Sequence, residues 1–241
     1  MSSAVQNIIV MGGGAWGAAI ASVLSTNQTL SVSCLVRDEA TAVALGNGHV
    51  PRLDNMALPA PLNATTDPTC VARADAIYLV LPAMATLQAL ALIDAHARQD
   101  CPVILCAKGL LDVPNQTGLL LPEYMTQYAP HRAFAMLSGP SFADEVIQGL
   151  PCALVASSDD DRLCDSLITH FAASHMRLYK GSDPIGVAVG GAVKNVIALA
   201  AGIASGLGLG DNAKAALITR GLAETGRLIH ALGGDAQTLS G

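Results

Sequence analysis

The sequence predicts an α/β fold, in which a mostly parallel, doubly wound sheet is followed by an all-α C-terminal domain. Three observations lead to this prediction. Short apolar runs alternate with helical segments as far as about residue 182. A glycine-rich turn joins the first apolar run to the first helix, and helical patterns alone follow Asp183. At 241 residues, the chain can hold one α/β domain, residues 1–182, and a smaller helical one, residues 183–241.

The glycine-rich turn is the most informative feature of the chain. Gly12, Gly14 and Gly17 form a G-x-G-x-x-G pattern between a buried-strand pattern at residues 8–11 and an alanine-rich helix. The first glycine permits a sharp turn, the second lets a pyrophosphate approach the backbone, and the third lets the helix pack closely on the strand. Such a motif alone can be an ordinary turn. The strand before it and the helix after it favour a Rossmann-type dinucleotide site at the helix N-terminus.

The elements that follow alternate in the same way. Predicted strands cover residues 30–36, 76–81, 103–106, 133–137, 153–156 and 176–179. Predicted helices run from the glycine turn to about residue 25, from Asp38 to about residue 45, over 84–99, and between the last two strands. Asp67 and Pro68 predict the cap and first turn of a short helix. Residues 46–61 are too long for a simple turn, so we expect them near the ligand.

The strand ends bring several candidate residues to one edge of the sheet. These are the glycine turn, Arg37, Pro82, Lys108 and residues 139–141. Ligands of open parallel sheets bind outside the carboxyl ends of the strands. We therefore expect the functional site at this edge.

Composition limits the classes of function. Hydrophobic residues make up 51% of the chain and aromatic residues 3%, so the core must be built from Ala, Val, Leu and Ile. A net charge of −6 disfavours a nucleic-acid surface, although it permits a local basic pocket for a phosphorylated metabolite. The six cysteines form no C-x-x-C pair and the histidines do not cluster, which favours reduced thiols and no metal site. No signal peptide is predicted, so we expect a cytoplasmic protein.

One segment, residues 185–209, is long and apolar enough to span a bilayer. It contains Lys194, Asn195 and many glycines, and it has no aromatic belt. A buried helix, in a protein without a membrane span, is therefore the better prediction.

The residue after the second strand distinguishes the two nicotinamide dinucleotides. An acidic residue about twenty positions beyond the glycines normally accepts a bond from the ribose 2′-hydroxyl. Here that place holds Arg37, followed by Asp38. A guanidinium offers a planar set of donors to a 2′-phosphate, which favours NADP(H). Asp38 leaves the use of NAD(H) open, and the alternative for Arg37 is an ordinary surface turn.

Further motifs point to a known family. In order, the chain has Gly-Gly-Gly-Ala-Trp-Gly at 12–17, Ala-Lys-Gly at 107–109, Ser-Gly-Pro-Ser-Phe-Ala-Asp-Glu-Val at 138–146, Gly-Ala-Val-Lys-Asn-Val at 191–196 and Thr-Arg-Gly-Leu-Ala-Glu at 219–224. This series resembles the bacterial NAD(P)-dependent glycerol-3-phosphate dehydrogenases over the whole chain. The resemblance implies hydride transfer between NAD(P)H and dihydroxyacetone phosphate, giving sn-glycerol 3-phosphate for glycerophospholipid synthesis. It also implies a homodimer and a helical domain for substrate binding and dimerisation.

The resemblance assigns roles to single residues. Lys194 matches the family's proton donor and acceptor, and Lys108 matches a lysine that touches both substrate and cofactor. Gly139 and Ser141 also match substrate contacts, and Asn195 corresponds to a substrate-binding asparagine in eukaryotic relatives. The matches to cofactor contacts, besides the motif glycines, are Ala15, Trp16 and Ala143. Ala15 stands where members often have serine, so we expect one side-chain hydrogen bond to be lost. The loop where members often carry tyrosine reads Pro51-Arg52-Leu53 here, and the resemblance therefore assigns no contact to it.

The residues around Lys194 support its assignment. It lies midway in an apolar segment, residues 187–205, that we expect to form a mostly buried helix. Gly190 and Gly191 lie one turn before it and are expected to leave open space beside the ammonium group. Desolvation would lower the pKa of Lys194, so that it can stabilise and protonate an alkoxide. The alternatives are a lysine that snorkels from the helix edge and, for Lys108, a solvated loop lysine.

Other polar residues are less informative. All six histidines are expected at the surface: His49, His96, His131, His170, His175 and His230. Three aspartates at 159–161 predict a solvated turn that caps the next helix rather than a metal site. Arg220, Glu224 and Arg227 are spaced for pairing within one helix.

Two other functions remain open. The first is a related reductase with a similar domain pair and a catalytic lysine, of the β-hydroxyacid or ketopantoate type. The second is a cofactor-binding fragment without turnover, because the family continues beyond Gly241 with a segment that carries an Asp and an Arg-Asn pair. The helical domain is then partial and exposes a stripe of Ala198, Leu199, Ile203 and Leu207. We expect such a chain to bind NADPH weakly, to aggregate or dimerise, and to reduce dihydroxyacetone phosphate poorly until an extension is restored.

Overall fold

The computed structural model describes residues 5–239 and has twelve strands and eight α-helices over that range. The strands are β1 (Gln6–Met11), β2 (Leu30–Leu35), β3 (His49–Val50), β4 (Met56–Ala57), β5 (Ala64–Thr65), β6 (Ala76–Leu79), β7 (Val103–Leu105), β8 (Leu111–Val113), β9 (Gln116–Leu119), β10 (Phe134–Ser138), β11 (Cys152–Ser157) and β12 (Met176–Gly181). The helices are α1 (Ala15–Leu24), α2 (Glu39–Gly46), α3 (Ala83–His96), α4 (Leu121–Tyr128), α5 (Ala143–Ile147), α6 (Asp161–His170), α7 (Pro184–Gly206) and α8 (Gly210–Ala231). Short 3-10 helices cover Pro51–Leu53, Pro68–Arg73 and Ala236–Leu239.

Eight of these strands form one sheet in the order β12-β11-β10-β7-β6-β1-β2-β5. The pairs from β10 across to β5 are parallel, β10 and β11 are antiparallel, and β11 and β12 are parallel. The chain builds outward from β1 to β2 and β5 on one side, then returns to add β6, β7 and β10 on the other. This reversal at β1 is the switch point of a doubly wound sheet, where ligands bind. The predicted fold class is confirmed.

The sheet is buried on both faces, which explains its continuous apolar strands. Along β1, Ile8 and Val10 join a core cluster with α1, α2, α5 and α6 on one side. Ile9 and Met11 join a second cluster with α3, α4 and α7 on the other. All four residues are at most 5% exposed. Such burial on both faces is typical of a parallel sheet.

The strands and helices predicted before residue 182 are confirmed, with bounds that differ by a few residues. Asp67 caps the 3-10 helix that follows it, accepting a bond from the Thr69 amide at 2.9 Å. The β3–β4 and β8–β9 hairpins, the edge strand β5 and α4 were not predicted. The hairpin strands and β5 have two to four residues each, too few to carry a periodic pattern.

The helical end of the described chain corrects one prediction. α7 and α8 pack against each other, and the first turns of α7 are buried against β10 and α4. The second half of α7 is not: Leu199 is 69% exposed, Ile203 62% and Leu207 69%. The expectation of a buried helix over 185–209 is therefore wrong for this half, because α8 covers one of its faces and no described element covers the face that carries these three side chains. The predicted exposed stripe, which includes Ala198, is confirmed.

By length and composition alone, α7 could cross a membrane, since its most apolar window has a mean hydropathy of 1.8. Of that window, 22% is buried. Lys194 and Asn195 are exposed near its middle. A single helix of this kind is weak evidence for a span, because core helices of water-soluble proteins pass the same test.

Candidate active site

The glycine turn has the geometry that its motif predicts. Gly12 has a φ of +130°, and a side chain there would collide with the carbonyl oxygen of Val80. A Cβ on Gly17 would overlap the carbonyl oxygen of Gly12, so glycine is required for α1 to lie this close to β1. Within the described residues, no neighbouring atom lies within 4 Å of a Cβ built on Gly14. That opening leaves room for a phosphate beside the backbone.

The first turn of α1 presents N–H groups to this opening. Gly14 is the N-cap residue and has no side chain with which to cap them. The helix dipole adds partial positive charge at the same point. A cleft of about 390 Å³ lies in front of the turn, at the carboxyl ends of the parallel strands. Its lining residues are Gly14, Ala15, Trp16, Gly17, Val80, Leu81, Pro82, Cys106, Ala107, Lys108 and Ser141.

Lys108 lies at this cleft, between the sheet edge and α7. Its side chain is half-buried, and its Nζ approaches the carbonyl oxygen of Gly139 at 3.5 Å. Burial, and after it the positive charge of the nearby Lys194, lower the pKa of Lys108 from its ordinary value. Lys194 does not itself line the cleft, but two neighbouring cations, one of them in the lining, would attract a phosphate dianion and stabilise an oxyanion.

Lys194 and the glycines before it depart from the prediction. Lys194 is exposed on α7, so its expected desolvation is wrong. A Cβ on Gly191 would lie 3.4 Å from Cγ of Lys108 and 3.6 Å from Oγ of Ser138. The space that was expected to be open is therefore filled by Lys108, and Gly190 faces the 3-10 helix near the end of the described chain. These glycines let a neighbouring side chain pass close to α7.

The turn after β10 brings Ser141 into the cleft but not all of its neighbours. Gly139 has a φ of +155°, and its Cβ would lie 2.8 Å from the carbonyl oxygen of Ala153. Ser141 lines the cleft, and its hydroxyl donates to the Gly139 oxygen at 3.5 Å. Ala143 begins α5 and packs against the core cluster on the α1 side, outside the lining. Asn195 is exposed on α7 and also lies outside the lining.

The turn between β2 and α2 touches the glycine turn. A Cβ on Gly13 would lie 2.7 Å from Cγ1 of Val36, so the two turns are in contact. Arg37 follows directly and is exposed. Asp38 caps α2, and bonds from the Thr41 amide at 2.8 Å and the Thr41 hydroxyl at 3.1 Å lower the pKa of Asp38. The carboxylate is thus engaged within the protein, while the guanidinium faces solvent.

Four lining residues were not predicted as part of the site: Val80, Leu81, Cys106 and Ala107. Each follows a buried parallel strand, and that position could have identified them. Burial raises the pKa of the Cys106 thiol to about 12, so this residue contributes a neutral wall. A second cavity, of about 260 Å³, lies at the other end of α1 and contains none of the predicted site residues.

His170 contradicts the prediction that all histidines lie at the surface. It is 3% exposed, on the face of α6 that also buries Leu163 and Leu167. Its Nδ1 lies 2.8 Å from the Tyr78 hydroxyl, and its Nε2 lies 3.1 Å from Oε1 of Gln6. The other five histidines are exposed, as predicted. The helical spacing of His170 with the two leucines could have shown its burial.

Two smaller predictions about polar residues are confirmed. Asp160 caps α6 by accepting a bond from the Arg162 amide at 2.9 Å. Glu224 pairs along α8 with Arg220 at 3.3 Å and with Arg227 at 2.6 Å. Both arrangements are solvated features of helix surfaces and lie away from the cleft.

Asp183 organises the start of α7, a role that was not predicted for it. Its carboxylate accepts bonds from the amides of Gly186 and Asp235, both at 2.8 Å, and from the Thr238 hydroxyl at 2.6 Å. It therefore caps the helix that carries Lys194 and ties it to the last 3-10 helix. An Asp followed by a Pro at a helix start is the sequence signal for such a cap.

Comparisons with known proteins agree with this geometry. Residues 7–164 match the family model for the N-terminus of NAD-dependent glycerol-3-phosphate dehydrogenase, and residues 183–241 match the model for its C-terminus. The chain is 39% identical over 238 residues to glycerol-3-phosphate dehydrogenase (NAD(P)+) of Agrobacterium fabrum strain C58, covering 98% of this chain and 72% of that protein. It is 40% identical over 242 residues to the protein of the same name from Bradyrhizobium sp. strain ORS 278, covering 100% and 73%.

A solved structure with a similar fold supports the same family. The crystal structure of glycerol-3-phosphate dehydrogenase from Coxiella burnetii matches with a TM-score of 0.89 at 34% identity, covering 98% of this chain and 72% of that one. Sequence, fold and site geometry therefore agree, and the chain belongs to the NAD-dependent glycerol-3-phosphate dehydrogenase family.

Proposed function

We propose that this protein interconverts dihydroxyacetone phosphate and sn-glycerol 3-phosphate by hydride transfer with NAD(P)H. The observation that carries the proposal is the position of Lys108, with Lys194 beside it, at the cleft in front of Gly14 and the α1 N-terminus. A dinucleotide site and a pair of cations meet there at one sheet edge. Relatives at 39–40% identity, named glycerol-3-phosphate dehydrogenase (NAD(P)+), support the same reaction.

The residues of the glycine turn fit a nicotinamide dinucleotide. The open space at Gly14 and the N–H groups of the first α1 turn would hold the pyrophosphate. Ala15 and Trp16 border the same cleft. The dinucleotide, when bound, supplies the hydride. Arg37, exposed beside the turn, favours NADP(H), and NAD(H) is proposed as a second cofactor.

The two lysines are proposed to handle charge and proton during the reaction. Negative charge develops on the carbonyl oxygen of dihydroxyacetone phosphate when hydride reaches its carbon. Lys194 donates a proton to that oxygen and accepts one in the reverse direction. Lys108 stabilises the same charge and, with Ser141, holds the substrate at the cleft. Gly139 and Asn195 toward the substrate, and Ala143 toward the cofactor, complete the proposed set.

The proposed organisation is a dinucleotide-binding domain, residues 1–182, and a helical domain, residues 183–241, for substrate binding and dimerisation. The matches of the two family models to residues 7–164 and 183–241 support this division. The exposed apolar side chains on α7 support a homodimer. The proposed setting is cytoplasmic glycerophospholipid synthesis, because the product is the backbone of those lipids.

The test compares substrates and two lysine variants. Oxidation of NADPH is followed with dihydroxyacetone phosphate, with ketopantoate and with the semialdehyde that reduction converts to a β-hydroxyacid. We expect turnover with dihydroxyacetone phosphate, a loss of orders of magnitude in Lys194→Ala at unchanged NADPH affinity, and parental rates in Lys214→Ala. Lys214 is a matched control, since it pairs with Asp211 on α8, away from the cleft.

Three outcomes would contradict the proposal. Turnover with one of the other two carbonyl substrates, in place of dihydroxyacetone phosphate, would indicate the activity of the related reductases. Binding of NADPH with no turnover of any substrate would leave a cofactor-binding module. A folding defect together with lost cofactor binding in Lys194→Ala would indicate a structural lysine.

A further inference from the structure

The backbone of Lys108 is held by the turn that follows β7. Ala107, before it, is 6% exposed. Gly109, after it, has a φ of +135°, which L side chains rarely adopt. A Cβ on Gly109 would lie 3.4 Å from Cβ of Ala83, the first residue of α3. The lysine is therefore fixed at its backbone between a buried residue and a glycine that lies against a helix.

The side chain of Lys108 passes α7 on its way to the cleft. A Cβ built on Gly191 would lie 3.4 Å from Cγ of Lys108 and 3.9 Å from its Cβ. Oγ of Ser138, at the end of β10, would lie 3.6 Å from the same point. Beyond this contact, Nζ of Lys108 lies 3.5 Å from the carbonyl oxygen of Gly139. Gly191 thus faces the lysine stem between its fixed backbone and its amino group.

Gly191 and Lys194 share one face of α7. They are three positions apart, so their side-chain directions are neighbours, about 4.5 Å apart along the helix axis. The stem of Lys108 packs on this face at the buried Gly191, and the exposed Lys194 follows one turn later. The depth at which the stem lies on Gly191 therefore affects how closely the two amino groups approach each other.

The position of Gly191 does not by itself favour glycine. Its backbone belongs to the interior of α7, where alanine would be more stable than glycine. Outside its own helix, the three atoms nearest to the missing side chain belong to Lys108 and Ser138. The absence of a side chain is thus explained by what passes the helix rather than by the conformation of the helix.

We infer that Gly191 is a positioning residue, which leaves the space in which the stem of Lys108 lies against α7 and so places its amino group beside Lys194. The inference rests on the proposed function, because it concerns the two cations that act on the substrate oxygen. A methyl group on Gly191 would touch the stem at the short end of van der Waals contact, whereas a branched side chain would displace it. A displacement of about 1 Å at a reacting group can lower a rate about a hundredfold.

The test varies the side chain at Gly191 and uses Gly202 as the matched control. Gly202 lies in the same helix, and outside that stretch of helix no described atom lies within 4 Å of a Cβ built there. The proteins are the parent, Gly191→Ala, Gly191→Val, Gly202→Val, Lys108→Ala and the double variant of Gly191→Val with Lys108→Ala. Mass spectrometry quantifies the product formed from dihydroxyacetone phosphate and deuterated NADPH. The emission of Trp16, the one tryptophan of the sequence, reports NADPH binding, and thermal melting reports folding.

We expect Gly191→Val to lower kcat/KM for dihydroxyacetone phosphate about a hundredfold, because the displaced ammonium group no longer meets the reacting oxygen. Gly191→Ala loses less, and it melts at or above the parental temperature. Gly202→Val keeps the parental rate, and both Gly191 variants keep the NADPH affinity within about twofold. In the Lys108→Ala background, Gly191→Val has little further effect, because the stem that it would displace is absent.

The outcomes separate a failure of this inference from a failure of the proposed function. A parental kcat/KM in folded Gly191→Val, or an equal loss in Gly202→Val, would overturn the inference while the proposed function stands. An undiminished effect in the Lys108→Ala background would overturn it too, because the valine would then act on another group. If Gly191→Val does not fold, Gly191→Ala decides: a reduced kcat/KM at parental melting supports the inference, and a parental kcat/KM overturns it. A folded parent that forms no product from dihydroxyacetone phosphate would overturn both.

Discussion

The buried histidine on α6 leads to a quantitative prediction about stability in acid. Burial lowers the pKa of His170 from 6.5 to about 4. Oε1 of Gln6 can only accept, so the Nε2–H of the neutral ring donates to it and Nδ1 accepts from the Tyr78 hydroxyl. Burial raises the pKa of the Tyr78 phenol, which keeps this hydroxyl protonated. A second ring proton would displace the Tyr78 donor and place a charge in the core.

Proton linkage converts this pKa difference into a change of stability. The unfolded chain protonates His170 near pH 6.5, whereas the folded chain does so near pH 4. Between these values the unfolded state binds more protons, so the free energy of unfolding falls as the pH falls. The contribution is fully present above the upper value and is lost below the lower one. The difference corresponds to about 3 kcal/mol, a large part of the stability of a typical domain.

The assay is urea unfolding between about pH 7.5 and about pH 3.5 for the parent, His170→Gln and His175→Gln. His175 is exposed and serves as the control. The parent and the control should lose stability across the range. His170→Gln should be less stable at neutral pH, but it should lose about 3 kcal/mol less on acidification. A parental acid dependence in His170→Gln would refute the reasoning.

Three further predictions concern the site and the helix that borders it. Gly17→Ala should destabilise the turn and abolish NADPH binding, because its Cβ would overlap the Gly12 carbonyl oxygen. Gly14→Ala should melt at the temperature of the parent but bind NADPH more weakly, as thermal melting curves and calorimetric titration would show. Lys194→Ala should raise the pKa of Lys108, because a neighbouring positive charge is removed. An unchanged pKa, measured by NMR titration of ¹³C-methylated lysines, would contradict the proximity of the two cations. Asp183→Ala should lower the free energy of unfolding by about 2 kcal/mol, since it removes a helix cap and two further hydrogen bonds. An unchanged free energy of unfolding, measured by chemical denaturation, would exclude that role.

The glycine turn could be predicted because its requirements are local. Gly12 needs a positive φ, Gly17 a close approach and Gly14 an open space, and each follows from the path of a strand that turns directly into a helix. The convergence of strand ends could also be predicted, because parallel strands deliver their carboxyl ends to one edge.

The environment of the two lysines could not be predicted, because it depends on packing between distant segments. Both halves of α7 have similar Ala, Val, Gly and Ile content, but the first half alone meets β10 and α4 among the described elements. Lys194 lies where that contact has ended and is exposed. Lys108 comes from a loop, and it is half-buried because α7 packs beside it at Gly191.

Some missed elements had signals that were present in the sequence. Asn115, after a proline, has a φ of +67° in the turn between β8 and β9. α4 begins with Pro122 in its first turn, and Glu123 accepts a bond from the Leu120 amide at 2.8 Å. A proline followed by a glutamate is a usual helix start, so α4 could have been predicted.

The most direct test of the central claim is the transfer of deuterium from labelled cofactor to substrate. NADPH carrying deuterium at either face of nicotinamide carbon 4 is incubated with the protein and dihydroxyacetone phosphate, and the product is analysed by mass spectrometry. One equivalent suffices, so the result does not depend on a fast turnover. We predict sn-glycerol 3-phosphate with one deuterium at carbon 2 from one face of the cofactor, and formation of this product slower by orders of magnitude with Lys194→Ala. The absence of label at carbon 2, or labelling by Lys194→Ala at the parental rate, would contradict the account.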